Sequence, residues 1–156
     1  PYEMPANGKP YDIYKNLQRA EWDTLIFFYG IILCVGGLGA FGYLAMISEF
    51  MYIDLGATTA NIIVGFASAL VDNIPVMFAV LQMGPEMNTG QWLLVTLTAG
   101  VGGSMLSIGS AAGVAVMGQA RGVYTFFSHL KWSWAILLGY FASVATHFFV
   151  NSGAFV

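Results

Sequence analysis

The sequence predicts an all-α membrane protein with three transmembrane spans, one broken near its middle, and a re-entrant helical hairpin. Three observations lead there. Hydrophobic residues make up 58% of the chain and charged ones only 8%, whereas soluble domains carry about a quarter charged residues. The apolar residues gather into long segments, and about 20 of them in helix cross a bilayer core. Two segments carry costly or helix-breaking residues at mid-length: Asp72-Asn73-Ile74-Pro75 in one, a glycine-serine run in the other. A net charge of −3 gives no reason to expect nucleic acid as a partner, and Cys34, the single cysteine, permits neither a disulfide framework nor a thiolate metal cluster.

Residues 1–21 read as a polar interfacial arm. After an irregular start with Pro1, Pro5 and Pro10, Tyr11 to Glu21 suits a short surface helix, with Trp22 as an aromatic anchor. A first span is predicted over about 23–47, its first turn capped by Asp23 or Thr24. Gly36, Gly39 and Ala40 offer small faces for close helix contact.

Residues 57–87 admit two readings: one long helix interrupted at Pro75, or two half-helices too short to cross, which dip in and return. Charge separates them. With a hairpin, all five basic residues (Lys9, Lys15, Arg19, Arg121 and Lys131) fall on one face, which the positive-inside rule makes cytoplasmic. The acidic connectors with Glu49, Asp54 and Glu86 then lie outside. The hairpin is the better reading.

A second span is predicted over about 91–118. Its window from Ala99 to Gly113 holds five glycines, each costing about 1 kcal/mol against alanine in a helix interior, so a break is expected there. Gly102, Gly103, Ser104 and Gly109 form its backbone. A last span over about 132–151 leaves the C-terminus external. The sequence begins at Pro1 and its hydrophobic segments make a meagre pathway, so it reads as the C-terminal part of a longer protein.

A hairpin tip and a broken helix at mid-depth are the parts from which secondary transporters build ion sites. The oxygen donors available are Asp72, Asn73, Ser68, Ser104, Ser107, Ser110 and freed carbonyls. Such all-oxygen shells suit hard cations, and Na⁺ or Li⁺ fits, with Asp72, Asn73 and Ser107 as ligands. Proton and cation would compete for Asp72, the minimal physics of antiport. No cofactor is expected beyond the transported ion.

The run Glu21-Trp22-Asp23-Thr24 through Gly30, then Gly36-Gly37-Leu38, resembles a repeat start in the ion transporter superfamily of arsenite permeases and dicarboxylate carriers. Together with Ser68-x-x-x-Asp72-Asn73-Ile74-Pro75 and Gly103 to Val114, the chain resembles the NhaD-type sodium/proton antiporters. The resemblance implies that residues 22–156 are a C-terminal inverted repeat whose N-terminal partner repeat lies elsewhere. It also implies functional roles for Asp23, Thr24, Ser68, Asp72, Asn73, Ser107 and Ser110, with Asp23-Thr24 at the inner approach. Dicarboxylate carriers place Ser-Asn-Thr at the hairpin tip; Asp-Asn-Ile here favours a cation.

Plainer readings stand beside these. Asp72-Asn73 can be a helix N-cap, and both roles can hold together. The serines can bond back to their own helices, and His129 and His147 can make interhelical hydrogen bonds rather than sense pH. Cys34 reads as a small buried hydrophobe. The expected setting is a bacterial inner membrane, surrounded by lipid, with homodimerisation left open. The rival functions are an anion carrier of the same superfamily, or a membrane scaffold subunit or enzyme. An enzyme would need a nucleophile–base or metal constellation that two separated histidines do not make.

Overall fold

The structure, a computed structural model, describes residues 13–18 and 22–155, without the side chains of residues 15, 16, 23 and 24. All regular structure among them is helical. Helices α1 (Ile13–Gln18) and α2 (Trp22–Ala40) come first, and the Trp22 indole donates to the Leu17 carbonyl at 2.9 Å.

Helix α2 does not run on to residue 47, which corrects the expected straight span. It stops at Ala40. Gly42 adopts a left-handed conformation (φ 82°), and α3 (Tyr43–Ser48) leaves so that the two halves are bent by 81°. Glycine takes that conformation without a Cβ clash, which is why it commonly follows a helix end. A π-helical turn, Glu49–Asp54, continues α3.

Helices α4 (Ala57–Leu70) and α5 (Asn73–Met83) have 14 and 11 residues and meet at Val71-Asp72. At about 1.5 Å per residue both fall short of a bilayer core of about 30 Å. Helix α6 (Thr89–Gly102) runs parallel to α4, since Asn61 bonds Gln91 while Ser68, further along, bonds Ala99. Residues 84–88 alone join α5 to the start of α6, which is level with the start of α4. Helix α5 therefore returns along the way α4 came, and the pair is a hairpin.

The chain is non-helical over 103–110 before α7 (Ala111–Gln119), so the expected break is present. After α8 (Phe126–Leu130), helix α9 (Ser133–Val150) runs antiparallel to α6, its Ser133 near Met105 and its His147 near Gly90. Among the described residues α9 is the one unbent helix long and apolar enough to cross a membrane; α2 with its bent continuation also qualifies as a pair.

Helix α6 is the centre of the packing. Leu94 joins Tyr140, Val144, Ala69 and Met105 in one apolar cluster, and Val95 and Ala99 join Val64 and Val80 in another. A Cβ on Gly102 would run into the Gly65 carbonyl, so these glycines let α4 and α6 touch backbone to backbone. Large apolar side chains along α2, including Leu25, Ile26, Phe27 and Leu33, are exposed, as suits a surface facing lipid or further protein. Cys34 is exposed there too, not buried as expected.

Candidate functional site

The two interruptions, at 71–72 and 103–110, lie side by side, and Asp72 links them. Val71 is extended and ends α4, while Asp72 is the N-cap of α5. One carboxylate oxygen, Oδ1, accepts from the Ile74 N–H at 3.0 Å. The other, Oδ2, accepts from the Ala111 N–H at 2.8 Å. Ala111 is the first residue of α7, so one side chain caps two helices 39 residues apart. Pro75 sits in the first turn of α5, where its missing donor is no loss. Each helix N-terminus carries partial positive charge, and two of them converge on this carboxylate. An ionised carboxylate has about four acceptor directions, so the two N–H bonds leave room for a further ligand.

Asp72 opens onto a cavity of about 900 Å³, lined also by Phe27 and Phe28 of α2 and by Ser110. Ser110 is the N-cap of α7, and its Oγ accepts from the Gly113 N–H at 3.1 Å. Asn73 does not share this cavity. It lines a separate groove of about 440 Å³ between α5 and α6: Asp72 is the N-cap with an extended ψ of 142°, and Asn73 is the first helical residue, so the two side chains leave the backbone in different directions.

The break at 103–110 is a gathering of oxygens. Ser68 and Ala69 are in the last turn of α4, whose carbonyls meet no helical N–H, and Gly103 lies just past the end of α6. A Cβ on Gly109 would sit 2.6 Å from the Ala69 carbonyl oxygen, 2.7 Å from that of Gly103 and 2.8 Å from that of Ser68. Among the described residues these three carbonyls accept no hydrogen bond. Ser107 is 2% exposed, and its hydroxyl is the one buried side-chain polar atom without a partner among the described residues. Ser68 Oγ donates to the Ala99 carbonyl at 2.7 Å. Ser104 is exposed, and its hydroxyl donates back to the Val101 carbonyl in the last turn of α6.

Of the residues singled out from sequence, Asp72 and Ser110 therefore share one cavity, and the backbone of Ser68, Gly103 and Gly109 shares one cluster. Asn73 stands apart. The Asp23 and Thr24 side chains lie outside the described residues, though their backbone is in the first turn of α2. Sequence reasoning passed over the Ala111 N–H and the Ala69 carbonyl, since backbone groups leave no residue-type signal. It also passed over Phe27 and Phe28, which look like ordinary lipid-facing residues. Of the histidines, His147 is buried and bonds Gly90 and Asn151, while His129 bonds Ser104 and Tyr124.

The citrate transporter (CitMHS) family model matches residues 8–100, more than half of the chain. The chain is 63% identical over 146 residues to the Na⁺/H⁺ antiporter NhaD of Alkalimonas amylolytica, covering 94% of this chain and 30% of that protein. It is 60% identical to the Na⁺/H⁺ antiporter NhaD of Vibrio cholerae, with 94% and 31% covered. Sodium/proton antiporter 1 of Arabidopsis thaliana is 37% identical, with 87% and 24% covered. The chain thus spans about a third or less of the length of these curated relatives. No solved structure matches it. A polar interruption shared by a helical hairpin and a broken helix, in a chain this similar to those sequences, places it in the CitMHS family of the ion transporter superfamily, as an NhaD-type member.

Proposed function

We propose that the protein carrying this chain exchanges Na⁺ or Li⁺ for H⁺ across a bacterial inner membrane, with Asp72 taking cation and proton in alternation. The observation that carries this reading is the carboxylate between two helix N-termini, open to a cavity and beside a cluster of unpaired carbonyls. Helix C-terminal carbonyls suit a cation, and the break offers them from Ser68, Ala69 and Gly103, with Ser107 supplying a free hydroxyl. Ser110 and Asp72 supply the cavity side. Asn73 serves a second face of the hairpin, and Asp23-Thr24 the inner approach.

The same geometry weighs against an anion carrier, including a citrate carrier. Paired helix N-termini are where such a protein would hold a carboxylate substrate. Here the chain's own carboxylate occupies them. In the bilayer the reading takes three spans and a re-entrant hairpin, with the N-terminal arm cytoplasmic and the C-terminus external. An inverted repeat in the remainder of the protein would complete the path and allow alternating access by rocking.

The test uses everted membrane vesicles containing the full-length protein. Adding Na⁺ is expected to collapse a preformed pH gradient, while citrate and other anions leave it unchanged. Asp72→Asn is expected to abolish exchange at normal protein levels. A fully active Asp72→Asn variant, or citrate uptake without Na⁺/H⁺ exchange, would overturn the assignment.

A further inference from the structure

Residues 120–132, between α7 and α9, do no ion chemistry in the reading above, yet they grip the break. Helix α8 is short but well anchored. The Thr125 hydroxyl accepts from the Ser128 N–H at 3.2 Å, and the Ser128 hydroxyl accepts from the Thr125 N–H at 2.8 Å. This reciprocal cap fixes the first turn and hence the direction of His129. The His129 ring stands edge-on to Tyr124, with centroids 5.8 Å apart, and Nδ1 bonds the Tyr124 hydroxyl. Its Nε2 lies 3.0 Å from the Ser104 carbonyl oxygen. A carbonyl only accepts, so Nε2 carries the proton; in the neutral ring Nδ1 then accepts from Tyr124.

The next carbonyl along is taken as well. Ser133, at the start of α9, donates its hydroxyl to the Met105 carbonyl at 2.7 Å. Two consecutive carbonyls released where α6 ends are thus satisfied by side chains from the loop and the start of α9. A carbonyl left without a partner where water is excluded is costly, and Met105 is buried, so these two donors help decide whether residues 104–105 hold one path. Gly103 immediately precedes them, and Ser107 follows two residues on.

We propose that His129, oriented by Tyr124, and Ser133 form a clasp by which the loop between α7 and α9 holds the broken helix in its ion-binding shape. Both are positioning residues: they touch the backbone that presents the oxygens, not the ion. The proposal rests on the antiporter reading for its effect on Na⁺, but the clasp itself can be observed without transport.

In the full-length protein, His129→Ala is expected to speed amide hydrogen exchange across 104–110 about tenfold. Helices α4 and α9 should exchange as in the parent. In vesicles the same variant is expected to raise the Na⁺ KM roughly fivefold with little change in maximal rate. His129→Gln keeps a donor at that end and should recover most of both effects. Ser133→Ala should resemble His129→Ala, and the double variant should show less than the product of the two, because both hold one element. Ser143→Ala, which removes a hydroxyl bonded only within its own helix, is the control and should change neither. Unchanged exchange over 104–110 in His129→Ala would overturn the clasp, as would a lower maximal rate with an unaltered Na⁺ KM. Absence of Na⁺/H⁺ exchange in the parent would instead sink the antiporter reading, and the hydrogen-exchange result would still judge the clasp.

Discussion

Where the two interruptions of the helices meet, free N–H groups and free carbonyls are handled in opposite ways. The N–H donors lie at the starts of α5, just after 71–72, and of α7, just after 103–110. One carboxylate serves both. The free carbonyls lie at the end of α4, just before 71–72, and at and beyond the end of α6, in the eight non-helical residues 103–110. Some are met by His129 and Ser133, and three crowd around Gly109 unmet. The donor side carries a carboxylate and opens onto the cavity. The carbonyl side is buried and rich in neutral oxygen. In the proposed antiport, the requirement met by a carboxylate is where proton and cation would compete, and the one left unmet would supply neutral ligands.

Breaking the carboxylate side should have the largest effect. Asp72→Ala removes the acceptor of two N–H groups, and hydrogen bonds to a charged group are worth about 1.5–3 kcal/mol each. Thermal unfolding of the detergent-solubilised protein should show the loss. Asp72→Asn keeps an acceptor for one of the two N–H groups and sets an NH2 against the other, so it should cost about half as much as Asp72→Ala while eliminating exchange. Equal stability of the two variants would show that the double cap does not matter.

Next comes Gly109→Ala, which forces a methyl among three carbonyls 2.6–2.8 Å away. Overpacking of this kind costs about 1–3 kcal/mol, and rigid backbone neighbours put it at the upper end. Exchange should fall with it. Ser68→Ala removes the bond to the Ala99 carbonyl and should cost about 1 kcal/mol in the same unfolding assay.

The smallest change in stability should come from Ser107→Ala, and it should be neutral or favourable, because a buried hydroxyl without a partner carries an unrecovered desolvation cost. Its Na⁺ affinity should nonetheless drop. Substantial destabilisation with unaltered Na⁺ affinity would place Ser107 among the packing residues and would weaken the contrast between the two sides.

Much of this arrangement was legible from residue types. Asp72 and Pro75 marked the hairpin tip, and the density of glycine from Gly100 to Gly113 marked the break, because each is costly in a continuous apolar helix. The bend at Gly42 was missed: a single glycine in a helix-like stretch reads equally well as a small packing face. Asn73 is adjacent to Asp72 in sequence, but the change from the extended N-cap to the first helical residue puts it on another groove. The Ala111 partner of Asp72 and the loop residues holding Ser104 and Met105 had no local pattern to reveal them.

By itself, then, the sequence determined the two interruptions, at the hairpin tip and in the glycine-rich run, and which acidic side chain stands at the first, since those follow from propensity and from the cost of burying polar groups; the bend at Gly42 it did not. Only the tertiary structure decided which backbone groups meet at those points. That depends on bringing Asp72 to Ala111, Ala69 to Gly109 and His129 to Ser104, and such pairings are fixed by how α4, α6 and α9 pack against one another, down to the backbone contact between Gly65 and Gly102.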